Sequence, residues 1–201
     1  MTALIELIKQ LRQESGAGVM ECRAALEQSN NSYASALTIL REKAAAEAAK
    51  RADHEARQGM VEVYTHAQGR IGVMVEVNAE TDFTGRSPLF RHFAHEVALQ
   101  IAAAAPLYVS EEDIPAEVLE QETQKASARA QAEGKPAAIA ARIIEGQLRK
   151  FKDQSVLLRQ VSIRDENTTV AQMLNQVSAS VGEHILIRRF ARWELELATQ
   201  E

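Results

Sequence analysis

The chain has 201 residues, 46% of them hydrophobic but only 4% aromatic, a length that accommodates one large domain or two small ones with a sizeable core. Its 23 Lys plus Arg against 28 Asp plus Glu give a formal charge of -5, which argues against a protein built chiefly to grip nucleic acid, because backbone binding needs a concentrated positive field. The single cysteine, Cys22, excludes an intramolecular disulfide and a cysteine-only metal site within one chain.

The N-terminus, MTALIELIKQLRQ, is already a periodic helix, neither a signal peptide nor an Arg- and Ser-rich transit peptide. No run approaches the roughly eighteen apolar residues of a membrane span, so a cytoplasmic protein is the expectation. Leu4, Leu7, Ile8 and Leu11 form the stripe of helix one. Ser15-Gly16-Ala17-Gly18 ends it, since two nearby glycines make continued helix costly and a reversal cheap. Val19, Met20, Cys22 and Leu26 belong to a short second helix, and Asn30-Asn31-Ser32 is the next break, with Ser32 a cap for helix three. Ala36, Ile39 and Leu40 face inward there. The alanine-rich stretch from Lys43 to Arg57 reads as a continuing, solvated connecting helix.

Gly59 starts something new. Met60 to His66, then Ala67-Gln68-Gly69, then Arg70 to Asn78 reads as a hairpin, with Ile71, Val73, Val75 and Val77 on one face of its second strand. Ser87-Pro88 is a helix start, and that helix carries Phe90, Phe93, Ala94, Val97 and Ile101 to an end near Pro106. Ser110 with Asp113 resembles a capping box. Helices are expected from Pro115 to about Glu133 and from Pro136 to about Lys152, with Gly134-Lys135-Pro136 as punctuation. Ser155 to Ile163 is strand-like, Thr168 to Val181 helical with Gly182 just past its end, and His184 to Leu197 a long strand. The expectation is an α+β protein: a three-helix unit, then a helix-rich core with a small three-stranded antiparallel sheet. Helices over one face of such a sheet leave the other needing cover, which is consistent with a dimer made sheet to sheet.

Sites of chemistry are sparse. His92, His95 and Glu96 share a helix but do not spell HExxH or its inverse, and His54, His66 and His184 supply no third ligand by sequence, so no metal is expected. Cys22 has neither a base nor an electropositive setting and reads as a buried structural thiol. There is no GxxxxGK[ST], GxGxxG or GxSxG, so neither cofactor nor catalytic residues are expected. What stands out is Glu80-Thr81-Asp82-Phe83-Thr84-Gly85-Arg86, after the valine strand. Two readings stay open on pattern alone: a rigid loop presenting the Asp82 carboxylate and the Phe83 ring, or Phe83 packed in the core with Asp82 capping a turn.

Two stretches carry a resemblance. Leu11-Arg12-Gln13-Glu14-Ser15-Gly16-Ala17-Gly18-Val19-Met20-Glu21-Cys22-Arg23-Ala24-Ala25-Leu26 is similar to LRxxTGAGMMDCKKAL, and Glu76 to Arg86 is similar to the start of ExNxETDFVARN. Both are motifs of the bacterial elongation factor Ts family, and this chain resembles its short form over essentially its whole length. Weaker matches lie at Tyr108-Val109-Ser110, Ile114-Pro115, 133–136 and Arg188 to Leu195. The resemblance implies a guanine nucleotide exchange factor for elongation factor Tu and not an enzyme. It implies a three-helix domain of the ubiquitin-associated type at 1–52 that docks on the GTPase domain. The remainder, 53–201, is a core and dimerisation domain, entered through a helical connection at 53–58. By matched position Arg12, Val19 and Met20 are contacts, and Asp82 with Phe83 is the pair that intrudes near the partner's Mg²⁺ and nucleotide site. A homodimer in a two-plus-two complex, without direct nucleic acid or membrane binding, is implied as well. Thr84-Gly85 stands where the family has Val-Ala, and Gly85 is expected to loosen the segment that positions Phe83. A ubiquitin-associated adaptor with an inert core, and a small-substrate enzyme on an α+β scaffold, are the alternatives. The first requires failure to bind the GTPase, the second clustered titratable groups.

Overall fold

A computed structural model of the chain describes residues 2–132 and 136–195. The apolar stripes of the first fifty residues produce α1 (Thr2–Ser15), α2 (Val19–Gln28) and α3 (Tyr33–Lys50). Leu11, Cys22, Ala25, Leu26, Ala36, Leu37 and Leu40 close into one buried cluster, with Leu4, Leu7, Ile8, Tyr33 and Ile39 packed around it. The three helices therefore own a core of their own. Two polar ties reinforce it from the α1 side: the Tyr33 hydroxyl donates to Glu14 Oε2 at 2.5 Å, and Arg41 lies 3.4 Å from the other Glu14 oxygen.

α3 stops at Lys50, not at Arg57, and residues 53–58 are not a helical connection. Alanine propensity would carry the helix onward, but tertiary partners claim the next residues. The Arg51 N–H turns back to the Ala48 carbonyl and the Ala52 N–H to the Ala49 carbonyl. The His54 carbonyl accepts from His184 Nδ1 at 2.8 Å, the His54 ring lies 3.0 Å from Glu80, and Ala56 is buried.

β1 (Gln58–His66) and β2 (Ile71–Ala79) form the expected hairpin, turned by Ala67, Gln68 and Gly69, all with positive φ. β3 (Leu186–Glu194) lies beside β2, giving an antiparallel sheet in the order β1-β2-β3. It is shorter than the expected strand, whose last residues, 196 and 197, lie outside the described ones, as do 133–135. The alternation in β2 is real: Val73, Val75 and Val77 are buried, while Met74 is exposed. Beyond β2 come a one-turn α4 (Asp82–Arg86) and α5 (Pro88–Ala104), the latter burying Phe90, Phe93, Ala94, Val97 and Ile101. On α5, His95 Nδ1 sits 2.8 Å from Glu62 of β1 and meets the Tyr64 ring edge-on.

Two compact units result, Met1–Tyr64 with Met74–Ala98 and Ala171–Ala191, and Thr65–Val73 with Leu99–Val170 and Arg192–Glu201. The second holds α6 (Ala116–Ala132) and α7 (Ala137–Ser155), which pack on one another. The Ser110–Asp113 box exists, with the Ser110 N–H 2.8 Å from Asp113 Oδ2, but it heads a single 3-10 turn; α6 starts after Pro115. The strand expected at Ser155 to Ile163 does not form. α7 runs through Ser155, and a 3-10 turn follows at Leu157–Arg159, because Val156 and Leu157 reach the core without a neighbouring strand. The backbone there finds single bridges, Tyr108 to Val156 and Val161 to Thr169. The buried Gln100 amide stands in for a strand partner: it donates to the Val161 carbonyl at 3.1 Å and accepts from the Ile163 N–H at 2.9 Å. α8 (Val170–Val181) then ends on Gly182, whose φ of 73 suits only glycine well. Among the described residues no helix is long and apolar enough to cross a membrane.

Candidate partner-binding surface

The reversal between α1 and α2 is held by side chains at both ends. Ser15 Oγ donates to the Leu11 carbonyl at 2.6 Å and accepts from the Ala17 N–H at 3.2 Å, while Gly16 takes a φ of 70. Glu21 reaches back to the Gly18 N–H at 2.9 Å, satisfying a donor at the start of α2, and its other oxygen meets Lys43 of α3 at 2.5 Å. The Lys43 ammonium first, and the Gly18 N–H second, hold the Glu21 carboxyl below its ordinary range. With its inner side anchored by Cys22 and Leu26, α2 must turn its first residues outward. Val19 is 48% and Met20 70% exposed. Arg12, exposed in the last turn of α1, lines an open cleft of about 480 Å³ with Gly16, Gly18, Lys43, Arg51 and Ser180. These three expected contacts thus cluster at one end of the helical unit. Cys22 is fully buried, and burial pushes its thiol pKa up.

Asp82 and Phe83 are on α4, not in a loop, because Thr81 caps it: its hydroxyl accepts from the Thr84 N–H at 3.3 Å. Of the two open readings, the structure selects presentation. Phe83 is 82% exposed, and Asp82 points its carboxylate to Arg86 at 2.8 Å across one exposed turn. Gly85 lies on the inner side of this element. It is buried, and a Cβ there would meet the Gly59 Cα at 3.1 Å, so the glycine allows α4 to sit directly on the start of β1.

Reading the sequence missed the fixtures behind α4. Both oxygens of Glu183 hold Thr81, one from its N–H at 3.0 Å and one from its hydroxyl at 2.6 Å. Reciprocally, Glu80 Oε1 accepts from the His184 N–H at 2.5 Å and faces His54 Nδ1 at 3.0 Å. The His184 N–H first, and His54 after it, lower the Glu80 pKa. Thr81 is a residue type that caps helices; its partners 102 residues away left no local signal. The end of α8 also reaches the other cluster, since Ser180 Oγ lies 3.3 Å from the Gly16 carbonyl. Ser180 thus meets the reversal that carries Arg12, Val19 and Met20, and Glu183, three residues on, holds the cap residue just before Asp82 and Phe83.

A third feature is the outer sheet face, where Val61, Val63 and Met74 are exposed beside a groove of about 250 Å³ that Glu76 and Arg189, 2.8 Å apart, border. Among the described residues no group of three or more His, Cys, Asp or Glu could hold a metal ion.

The family model described as Elongation factor TS matches residues 3–197. The chain is 51% identical over 189 residues to the elongation factor Ts of Caldanaerobacter subterraneus subsp. tengcongensis, covering 94% of each protein. It is 47% identical to that of Coprothermobacter proteolyticus, over 94% of this chain and 96% of the relative, and 48% identical to that of a Thermoanaerobacter species, over 94% and 93%.

Proposed function

The chain belongs to the elongation factor Ts family, and from that premise we propose that it is the guanine nucleotide exchange factor of a bacterial elongation factor Tu, acting in the cytoplasm. It is not an enzyme, since no bond of the nucleotide is made or broken. Residues 1–52 are the docking domain, of the ubiquitin-associated type, with Arg12, Val19 and Met20 as its contacts; their shared exposure at the α1–α2 reversal supports this. Residues 53–201 are the core and dimerisation domain. Its bare valine-bearing sheet face supports a homodimer, hence a two-plus-two complex. No cofactor, nucleic acid or membrane takes part.

The observation that carries the reading is Phe83, a large apolar ring held almost wholly in solvent on a braced helical turn, next to the Asp82 carboxylate. A GTPase holds GDP through its phosphates and Mg²⁺, and the cation is a large part of the local charge. An apolar wedge and an anion brought into that site disfavour the coordinated state. A protein that binds the loosened GTPase more tightly weakens the nucleotide by the same factor, by linkage. A hundredfold faster release requires only about 2.7 kcal/mol of barrier lowering, within what burying one phenylalanine side chain supplies, about 1.5–3 kcal/mol.

Stopped-flow release of fluorescent GDP from the cognate elongation factor Tu tests the proposal. Strong acceleration by wild type, blunted by Asp82→Ala and by Phe83→Ala, is expected. Binding without acceleration would overturn the exchange reading, and no binding by folded protein would sink the assignment.

A further inference from the structure

We propose that Glu183 is a positioning residue for nucleotide exchange, acting through Thr81 to hold α4 at the angle from which Phe83 and Asp82 reach the GTPase; this rests on the exchange reading above. A five-residue helix has too few internal hydrogen bonds to hold itself. α4 nevertheless forms: its buried Gly85 rests on Gly59, and its exposed start is held from outside. Its cap residue is gripped by both Glu183 oxygens, so the N–H and the hydroxyl of Thr81 are fixed by one carboxylate. Charge-assisted hydrogen bonds of this kind are roughly twice as strong as neutral ones. Glu183 is itself set by the turn after α8: Gly182 leaves the helix through its positive φ, and the Ser178 hydroxyl bonds the Glu183 carbonyl at 2.5 Å. The brace therefore runs from α8 to the cap of α4 and does not touch the exposed face that carries Phe83. Removing it leaves the apolar core and the docking residues of α1 and α2 in place, but frees α4 to rock. A wedge that must enter a site at one angle loses rate, not affinity, when its mount softens.

The test is GDP release from elongation factor Tu at increasing concentrations of wild type, Glu183→Ala, Glu183→Gln, Phe83→Ala and the Glu183→Ala/Phe83→Ala double variant, with thermal melts alongside. Glu183→Ala is expected to lower the plateau rate about tenfold while leaving the half-saturating concentration within about threefold. Glu183→Gln, which keeps one acceptor, recovers most of the plateau. In the Phe83→Ala background the Glu183 change costs little more, because both act through the same wedge. An unchanged plateau, a loss confined to half-saturation, or full additivity with Phe83→Ala overturns the proposal. Should Glu183→Ala melt early, Thr81→Val and Thr81→Ser pose the question from the other end. The serine variant then keeps the plateau and the valine variant loses it; equal plateaus count against the brace. Wild type that fails to accelerate release overturns the exchange reading, and this one with it. Acceleration by wild type with no effect of Glu183 overturns this one alone.

Discussion

Gly85 lies against the backbone of Gly59, close enough that a methyl group at 85 would stand 3.1 Å from the Gly59 Cα and 3.3 Å from its amide nitrogen. Gly59 is the stricter of the two. Its φ is 129, and a Cβ there would fall 2.2 Å from the Val77 carbonyl oxygen, which belongs to the sheet and cannot move aside. Gly59→Ala is therefore expected to destabilise the fold by about 3 kcal/mol or more, through backbone strain and a clash together. Gly85→Ala gains roughly 1 kcal/mol of helix propensity against its crowding, and its net effect should stay within about that amount. Urea unfolding of the two variants checks the order; equal effects would mean that the close approach is not what selects glycine.

The Tyr33–Glu14 bond has a signature in alkali. Burial, and then the hydrogen bond to Glu14, push the Tyr33 phenol up to about 12. A neutral phenol favoured by the fold contributes stability that is fully present below the unfolded value, about 10, and is lost as pH rises through the folded one. Absorbance titration of the wild type should show a late phenol step at about 12. Tyr33→Phe should remove the late step and cost about 1 kcal/mol at neutral pH. A titration curve whose late step survives Tyr33→Phe would refute the bond.

At acid pH the second unit loses a tie at Glu111, which Lys152 meets at 2.6 Å and Arg159 grips from the other side. Lys152 first and Arg159 second lower its pKa. The folded value lies below the unfolded one, so the stabilisation is present above the unfolded pKa and fades as pH falls through the folded pKa. The groups are about a third exposed, and solvent screening limits the gain to about 1 kcal/mol. Glu111→Gln should be less stable by that amount at pH 7 and indistinguishable from wild type once both are below the folded pKa. Chemical unfolding at pH 7 and in acid measures both. A loss that persists in acid would point to packing.

The elements that announced themselves were those whose burial repeats with a fixed period, Leu4 to Leu11 on α1 and Val73 to Val77 on β2. Val156, Leu157, Leu158 and Val161 make an equally apolar run, and it is no strand, because distant groups satisfy its backbone piecemeal: the Tyr108 and Val109 carbonyls take the Leu157 and Leu158 N–H groups, and the Gln100 amide donates to the Val161 carbonyl. α3 ended early for a similar reason: its alanines favour helix, and His54 is wanted by Glu80 and His184. The candidate site divides the same way. Asp82, Phe83 and the Met20 turn were visible in short motifs. The Glu183 brace joins residues 102 apart and has no local trace. Local chemistry shows what is presented; the means of holding it is written in distant pairs.

Met20 and Phe83 are both exposed, at 70% and 82%, and their substitutions should nevertheless read differently. Neither side chain contributes to a core, so Met20→Asp and Phe83→Ala should each leave thermal stability within about 0.5 kcal/mol of wild type. Met20 stands on the helical unit proposed to dock, a contact that the proposal keeps separate from the nucleotide site. A charge there opposes association equally before and after GDP leaves. Uniform loss of binding raises the half-saturating concentration and spares the plateau; about tenfold or more is expected for a carboxylate forced into an apolar contact. In the proposed mechanism Phe83 acts only once docking is complete, so its truncation should lower the plateau and shift half-saturation much less. Titrating GDP release against each variant separates the two quantities. If Met20→Asp lowered the plateau while Phe83→Ala changed only half-saturation, docking and insertion would have to be exchanged between the two ends of this surface.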